Sequence, residues 1–198
     1  SLFEHGRKAQ AERDAPLAER MRPSTFDEFV GQDQIVDPDR VLLRSIAAGR
    51  LPSIILWGPP GTGKTTLARL VASSTQSDFQ PVSAVTSGVA DLRHIVAEAK
   101  DRKGMHQQST ILFVDEIHRF NKAQQDVILP HVEDGTITFI GATTENPSFE
   151  VIAPLLSRCR VFALQSLEPA QMASIVNRAL ADQMRGLGPL NASLGEDA

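Results

Sequence analysis

Apolar residues fall along this chain in two alternating rhythms. Short runs at Ser53-Ile-Ile-Leu-Trp57, Phe79-Gln-Pro-Val82, Ile111-Leu-Phe-Val114, Thr136-Ile-Thr-Phe-Ile140 and Val161-Phe-Ala-Leu164 read as strands. Between them, apolar positions recur every three or four residues. Residues 66–72 put Leu67, Leu70 and Val71 on one helical face, and residues 91–100 do the same with Leu92, Ile95, Val96 and Ala99. Residues 121–133 predict a further helix, kinked near its end by Pro130. Residues 38–48 predict an earlier one, with Leu42, Leu43 and Ile46 inward and Gly49 placed to end it. Residues 101–109 read as a polar loop. Strands alternating with helices predict an α/β fold, a parallel sheet with helices on both faces.

The ends of the chain differ in character. Residues 1–20 are charged and weakly periodic, an exposed arm or frayed helix in which acids nearly cancel bases. The chain starts at Ser1 without an initiator methionine, which reads as a processed or engineered start. Phe26, Phe29 and Val30 need burial. From Ser166 a helical pattern begins, with Met172, Ile175, Val176, Ala179 and Leu180 as an apolar stripe, and it stops after one or two helices. Residues 186–198 are glycine-rich and polar and are expected to be disordered. The expected division is an arm over 1–20, an α/β nucleotide-binding domain over 21–165, and a truncated helical lid over 166–198.

Composition narrows the class. Of 198 residues, 41% are hydrophobic and 22% charged, enough for a proper core, and the net charge of −4 carries no global basic signature. Nucleic-acid binding would therefore use a local basic patch. Cys159 is the single cysteine, so no intrachain disulfide forms and a reducing compartment is the simplest reading. No apolar run approaches the ~20 residues of a membrane span.

The chemistry centres on Gly58-Pro59-Pro60-Gly61-Thr62-Gly63-Lys64-Thr65-Thr66, between a strand and a helix. This is the glycine pattern of a phosphate-binding loop in its required context. Glycines let backbone N–H groups converge on phosphates, and the helix N-terminus adds partial positive charge. Lys64 would reach the outer phosphates of a nucleoside triphosphate, and the Thr65 hydroxyl would ligate Mg²⁺. The strand 111–114 ends in Asp115 and Glu116. Asp115 would hold Mg²⁺ through water, and Glu116 would polarise a water for in-line attack. At the next strand end, Thr143, Thr144 and Asn146 are either a plain turn before Pro147 or groups that orient the attacking water. Arg158 is either a surface residue or an arginine finger serving a neighbouring subunit's site.

Together these motifs resemble the AAA+ ATPases over almost the whole chain. Gly58–Thr65 matches Walker A, Ile111–Glu116 matches Walker B, and Thr144 falls at sensor 1. Ser157-Arg158-Cys159 looks like the clamp-loader element whose arginine acts in trans, and Val30-Gly31-Gln32 resembles the adenine-side segment. Several stretches look like the RarA/MgsA family, whose eukaryotic members include the Werner-helicase-interacting ATPase. These are Arg22-Pro23, Ala84-Val-Thr-Ser-Gly88, Asp115-Glu-Ile-His-Arg-Phe-Asn121 with Gln124-Gln125-Asp126, and Gly141-Ala-Thr-Thr-Glu-Asn-Pro-Ser-Phe149.

The resemblance implies a P-loop AAA+ fold with a five-stranded parallel sheet and the start of a small helical lid. It implies ATP and Mg²⁺ as cofactors and a DNA-dependent ATPase acting at gaps, forks or ends. It also implies work beside single-strand-binding protein and the replication machinery, as a homotetramer of which this piece alone would be monomeric and weakly active. The location implied is a bacterial cytoplasm, or the nucleus in a eukaryote. Arg178 and Arg185 sit in no recognisable sensor 2 context. Arg93, Arg119 and Lys122, with His94, Lys100 and His118 nearby, are either DNA contacts or solvated surface. Competing readings are a clamp-loader subunit, a RuvB-like branch-migration motor, and a nucleotide-gated scaffold without useful turnover.

Overall fold

The computed structural model describes residues 15–193 and 195, so most of the expected N-terminal arm and the last three residues lie outside the described residues. Contacts divide the chain into two compact units, residues 32–166 and residues 15–31 with 167–195.

In the first unit five strands, β1 (Ser53–Trp57), β2 (Asp78–Ser83), β3 (Thr110–Asp115), β4 (Ile137–Thr143) and β5 (Cys159–Ala163), form one sheet. Its order is β2-β3-β4-β1-β5 and every pairing is parallel. β1 and β3 are buried along nearly their whole length, which is why they read as continuous apolar runs. Ile55, Leu112, Val114 and Phe139 pack with Leu92, Ile117, Ile128 and Leu155 in the main core. Each such side chain contributes about 1.5–3 kcal/mol on burial. Where β1 and β4 begin, the buried Ser53 hydroxyl accepts the Phe139 amide at 2.9 Å, satisfying a donor that the ladder leaves over.

The crossovers are α4 (Lys64–Ser74), α5 (Val89–His106) and α6 (Lys122–Glu133), preceded by α2 (Asp33–Val36) and α3 (Val41–Ala47). Short turns α7 (Pro147–Glu150) and α8 (Ala153–Leu156) lead into β5. Three elements depart most from the periodicity. The helix expected from Pro38 starts at Val41, because Arg40 is in extended backbone (φ −80°, ψ 156°); Gly49, at φ +64°, follows its end. β4 runs on to Thr143. The loop expected over 101–109 is helical as far as His106. Arg102 bonds Glu98 one turn back at 2.9 Å and pairs with Asp78 of β2 at 3.0 Å, while Lys103 donates to the Gly135 carbonyl at 2.7 Å. Polar contacts, not apolar periodicity, carry that last turn.

The second unit joins α1 (Leu17–Arg20) and residues 21–31 to α9 (Pro169–Ala181). Met21 and Phe29 are buried here. Arg178 of α9 donates to the Glu28 carbonyl at 2.5 Å, and Arg185 grips the Glu28 carboxylate at 2.6 and 3.1 Å. The two arginines without a motif are thus ties to the N-terminal segment. Residues 186–191, part of the stretch expected to be disordered, instead fold back on the end of α9, because backbone amides find carbonyls there. The Leu187 amide donates to Ala179 at 2.8 Å, and Asp182 takes the Met184 and Arg185 amides. The apolar stripe of α9 has no buried member; Met172 is 56% exposed.

Arg185, together with the Ser24 amide, holds the Glu28 carboxyl down at about 2. A lowered carboxylate stabilises the fold above its unfolded value, near 4.5, and that stabilisation is lost as pH falls through about 2. Amide hydrogen exchange over residues 178–190 should therefore lose protection across this window. Glu28→Gln should already show the reduced protection at pH 6 and change less on acidification. Equal protection in both proteins at every pH would contradict the assignment.

Candidate active site

All five strands point their carboxyl ends to one edge, and the glycine loop follows β1 there. Gly58 has φ +155°, and a side chain on it would run into the Leu164 carbonyl; its amide donates to Thr143 at 3.2 Å. Gly63, at φ +91°, caps α4, so the loop feeds directly into the helix N-terminus. Thr62 is buried and its hydroxyl donates to Pro59 at 3.0 Å, pinning the loop from inside. Lys64 Nζ curls onto the loop, donating to the Gly58 and Pro59 carbonyls at 2.7 Å each. Burial lowers the Lys64 ammonium from its usual value, and the charge of Asp115 opposes that shift.

Asp115 ends β3, and Glu116 follows with a left-handed backbone at φ +53°, ψ 52°. Such a conformation costs a non-glycine residue about 1 kcal/mol or more and persists only where neighbours enforce it. The enforcement is visible. A single 3₁₀ turn, Ile117–Arg119, is anchored by the buried Ile117 and Phe120, and His118 Nδ1 lies 3.1 Å from Thr143 Oγ1. Arg119, at the end of that turn, reaches back to the Glu116 carboxylate, Nε to Oε2 at 2.8 Å. Thr65, Arg69, Ser83, Asp115 and Glu116 border one cleft of about 420 Å³. Hydroxyl and carboxylate oxygens around a cation-lined loop suit a hard divalent ion and a polyphosphate. The residues present therefore fit ATP with Mg²⁺.

At the end of β4, Thr143 is buried, held by His118 and by the Glu145 amide at 3.0 Å, while Thr144 is exposed one residue on. Asn146 caps α7 by accepting the Ser148 amide at 3.0 Å. Of the adenine-side residues, Val30 and Gly31 belong to the second unit and Gln32 to the first. The Gln32 amide group is spent on the backbone of Gln165, donating at 2.7 Å and accepting at 2.9 Å.

Arg158 lies elsewhere. Cys159 pairs with Ser53 at the start of β1, so Arg158 stands at the opposite edge of the sheet from the loop that follows Trp57. Six residue steps of parallel strand separate the two levels by about 20 Å. There its guanidinium pairs with Glu133 at 2.6 Å and donates to the Pro154 carbonyl at 2.7 Å. The neighbouring Cys159 thiol is pushed up to about 12 by burial, so it is no nucleophile. Arg93, Arg119 and Lys122 are exposed.

Gln124 and Gln125 stand in a RarA-like stretch, yet sequence reasoning assigned neither a role. Gln124 is clamped in the α6 cap with Asn121 and donates to the Ser87 carbonyl at 2.7 Å. Gln125 donates to Glu150 at 3.0 Å and accepts from Ile152 at 2.9 Å. The stretches 84–88, 115–126 and 146–152, separate in sequence, are one buried network behind the cleft. Two adjacent glutamines on the buried face of an amphipathic helix were the available signal.

Loop, helix, paired carboxylates and strand order define a P-loop AAA+ domain. The chain belongs to the family described as the Holliday junction DNA helicase RuvB P-loop domain, which matches residues 21–156. Among solved structures it is similar to the Thermotoga maritima RuvB Holliday junction branch migration motor, with a TM-score of 0.68 and 31% identity over 82% of this chain and 54% of that one. Among curated proteins it is 56% identical over 173 residues to replication-associated recombination protein A of Coxiella burnetii. The Escherichia coli K12 protein of that name is 53% identical over the same length. These alignments take in 87% of this chain and 39% and 38% of the relatives, so the chain spans about two fifths of their length. The resemblance to RarA proteins expected from the motifs is thereby borne out. Among the described residues no helix is long and apolar enough to cross a membrane.

Proposed function

We propose that this domain hydrolyses ATP in response to DNA, as the motor part of a RarA-like protein of replication-associated recombination. The observation that carries the reading is one cleft bordered by Thr65, Asp115 and Glu116, with the Lys64 ammonium of the adjoining loop within reach of the Asp115 charge, in a chain 56% identical to a RarA protein. The lower identity to RuvB, 31%, favours replication-fork work over branch migration. Glu116, beside the cleft, favours turnover over a nucleotide-gated scaffold.

In this reading the loop amides from Gly58 to Thr66 and the Lys64 ammonium take the phosphates. Val30, Gly31 and Gln32 flank the adenine. Thr65 and Asp115 hold Mg²⁺, which when bound neutralises charge on the phosphate oxygens. Glu116 accepts a proton from the attacking water, and Thr144 orients that water. His118 and Thr143 keep the Glu116 turn against the end of β4. Arg158 serves the site of a neighbouring subunit, a role supported by its place about 20 Å from its own loop. Arg93, Arg119 and Lys122 meet DNA phosphates at gaps, forks or ends. A homotetramer acting with single-strand-binding protein, in a bacterial cytoplasm or a eukaryotic nucleus, completes the proposal.

Phosphate release from ATP, with and without DNA, tests it on the intact protein. Glu116→Gln is expected to bind ATP as the parent does and to lower turnover by about 10²-fold or more, the scale of general-base loss. A Glu116→Gln protein that binds normally and turns over at the parent rate removes Glu116 from the chemistry.

A further inference from the structure

The Arg158 guanidinium is fastened from two sides, by its own turn and by a carboxylate 25 residues earlier in the chain. We infer that Glu133 is a positioning residue for Arg158, which it orders in advance for the triphosphate of a neighbouring subunit. The inference rests on the role in trans proposed for Arg158.

Three observations carry it. First, the local contacts secure only one nitrogen. At the end of α8 the Arg158 amide turns to the Leu155 carbonyl at 3.1 Å, so the Pro154 carbonyl is left to side chains. That carbonyl accepts from Arg158 Nη1 at 2.7 Å and from the Ser157 hydroxyl at 2.9 Å, and Nη1 also donates to Ser157 Oγ at 3.1 Å. Second, Glu133 ends α6 and is the one partner that another element gives the guanidinium among the described residues, with Oε1 2.6 Å from Nη2. Tied at Nη1 and Nη2, the planar group is oriented against the body of the sheet. Its Nε keeps no acceptor among the described residues and stays open to an incoming oxygen. Third, the pair faces open space. Both side chains are 42% exposed, and they border a cleft of about 510 Å³ with Leu51, Ser53 and Thr138. An exposed ion pair adds little to stability, so Glu133 acts on the placement of the cation and not on the fold.

The consequence is preorganisation. Arginine is among the side chains that lose most rotamer freedom on ordering. With Glu133 in place, less of that freedom remains to be lost when the guanidinium meets transition-state charge.

The test is steady-state ATP turnover by the intact, assembled protein. The proteins compared are the parent, Glu133→Ala, Glu133→Gln, Arg158→Ala and the double variant Glu133→Ala/Arg158→Ala. Glu133→Ala is expected to lower kcat about 10- to 30-fold, the scale of leaving an arginine side chain unordered, with KM for ATP unmoved. Glu133→Gln keeps an oxygen for Nη2 and should stay within about three-fold of the parent, since the charge of an exposed pair is worth little. The double variant should fall no further than Arg158→Ala, because Glu133 acts only through that arginine. Subunit exchange separates positioning from a defect in the chain's own site. Glu133→Ala mixed with Glu116→Gln should recover about a quarter of parent turnover, as sound bases meet sound fingers at that share of interfaces. Mixed with Arg158→Ala, it should show only the average of the two. Rescue by Arg158→Ala in place of Glu116→Gln, or a double variant clearly below Arg158→Ala, would overturn the inference. Parent-like kcat in Glu133→Ala beside an inactive Arg158→Ala would remove this inference alone. Parent-like turnover in Arg158→Ala would remove the role in trans together with it.

Discussion

Lys64→Ala is expected to abolish ATP hydrolysis and to weaken nucleotide binding by at least about 100-fold, the scale of removing one member of a close charge pair. The ammonium is the one side-chain cation within the loop itself, and it already lies against the loop carbonyls of Gly58 and Pro59 at 2.7 Å. Removing it leaves backbone amides and a helix terminus to face a polyanion, with Asp115 adding repulsion. Equilibrium titration with a fluorescent ATP analogue, beside phosphate release, checks both halves. Parent-like turnover in Lys64→Ala would sink the phosphate-loop assignment.

Arg158→Ala is expected to cost the assembled protein on the order of 10³-fold in turnover, the scale typical of an arginine finger, with little change in ATP affinity. Two features support this. The guanidinium stands at the opposite edge of the sheet from its own loop, out of reach by several side-chain lengths. It is also held outward by Glu133 and the Pro154 carbonyl, at a level where no phosphate of its own chain could come. In a verified monomer the same substitution should change turnover little. A large loss in the monomer would return Arg158 to its own site.

The sheet was legible where physical chemistry leaves one answer. β1 and β3 are buried on both faces, so their apolar runs admit little besides strand, and the glycines between β1 and α4 admit little besides a phosphate nest. Spacing alone could not show what depends on residues far apart in sequence. The last turn of α5 is stabilised by Asp78 and Gly135. Arg178 and Arg185 look unassigned until residues 21–28 come beside them. Gln124 and Gln125 resemble polar helix surface, yet both are buried and bind backbone 25 to 37 residues away. The Glu116–Arg119 pair is local, but it spans a left-handed residue and a 3₁₀ turn anchored by the buried Ile117, which spacing does not announce.

The proposal's central claim is that each site is completed by two chains, Lys64 and Glu116 from one and Arg158 from the next. Mixing intact Arg158→Ala with intact Glu116→Gln, each inactive alone, and measuring ATP turnover after subunit exchange tests this most directly. In a head-to-tail assembly at equal proportions, about a quarter of the interfaces would join a good Glu116 to a good Arg158. Turnover should rise toward about that fraction of the parent rate, since each interface needs only one sound copy of each residue. A mixture that exchanges subunits yet stays as inactive as its components would contradict the shared site.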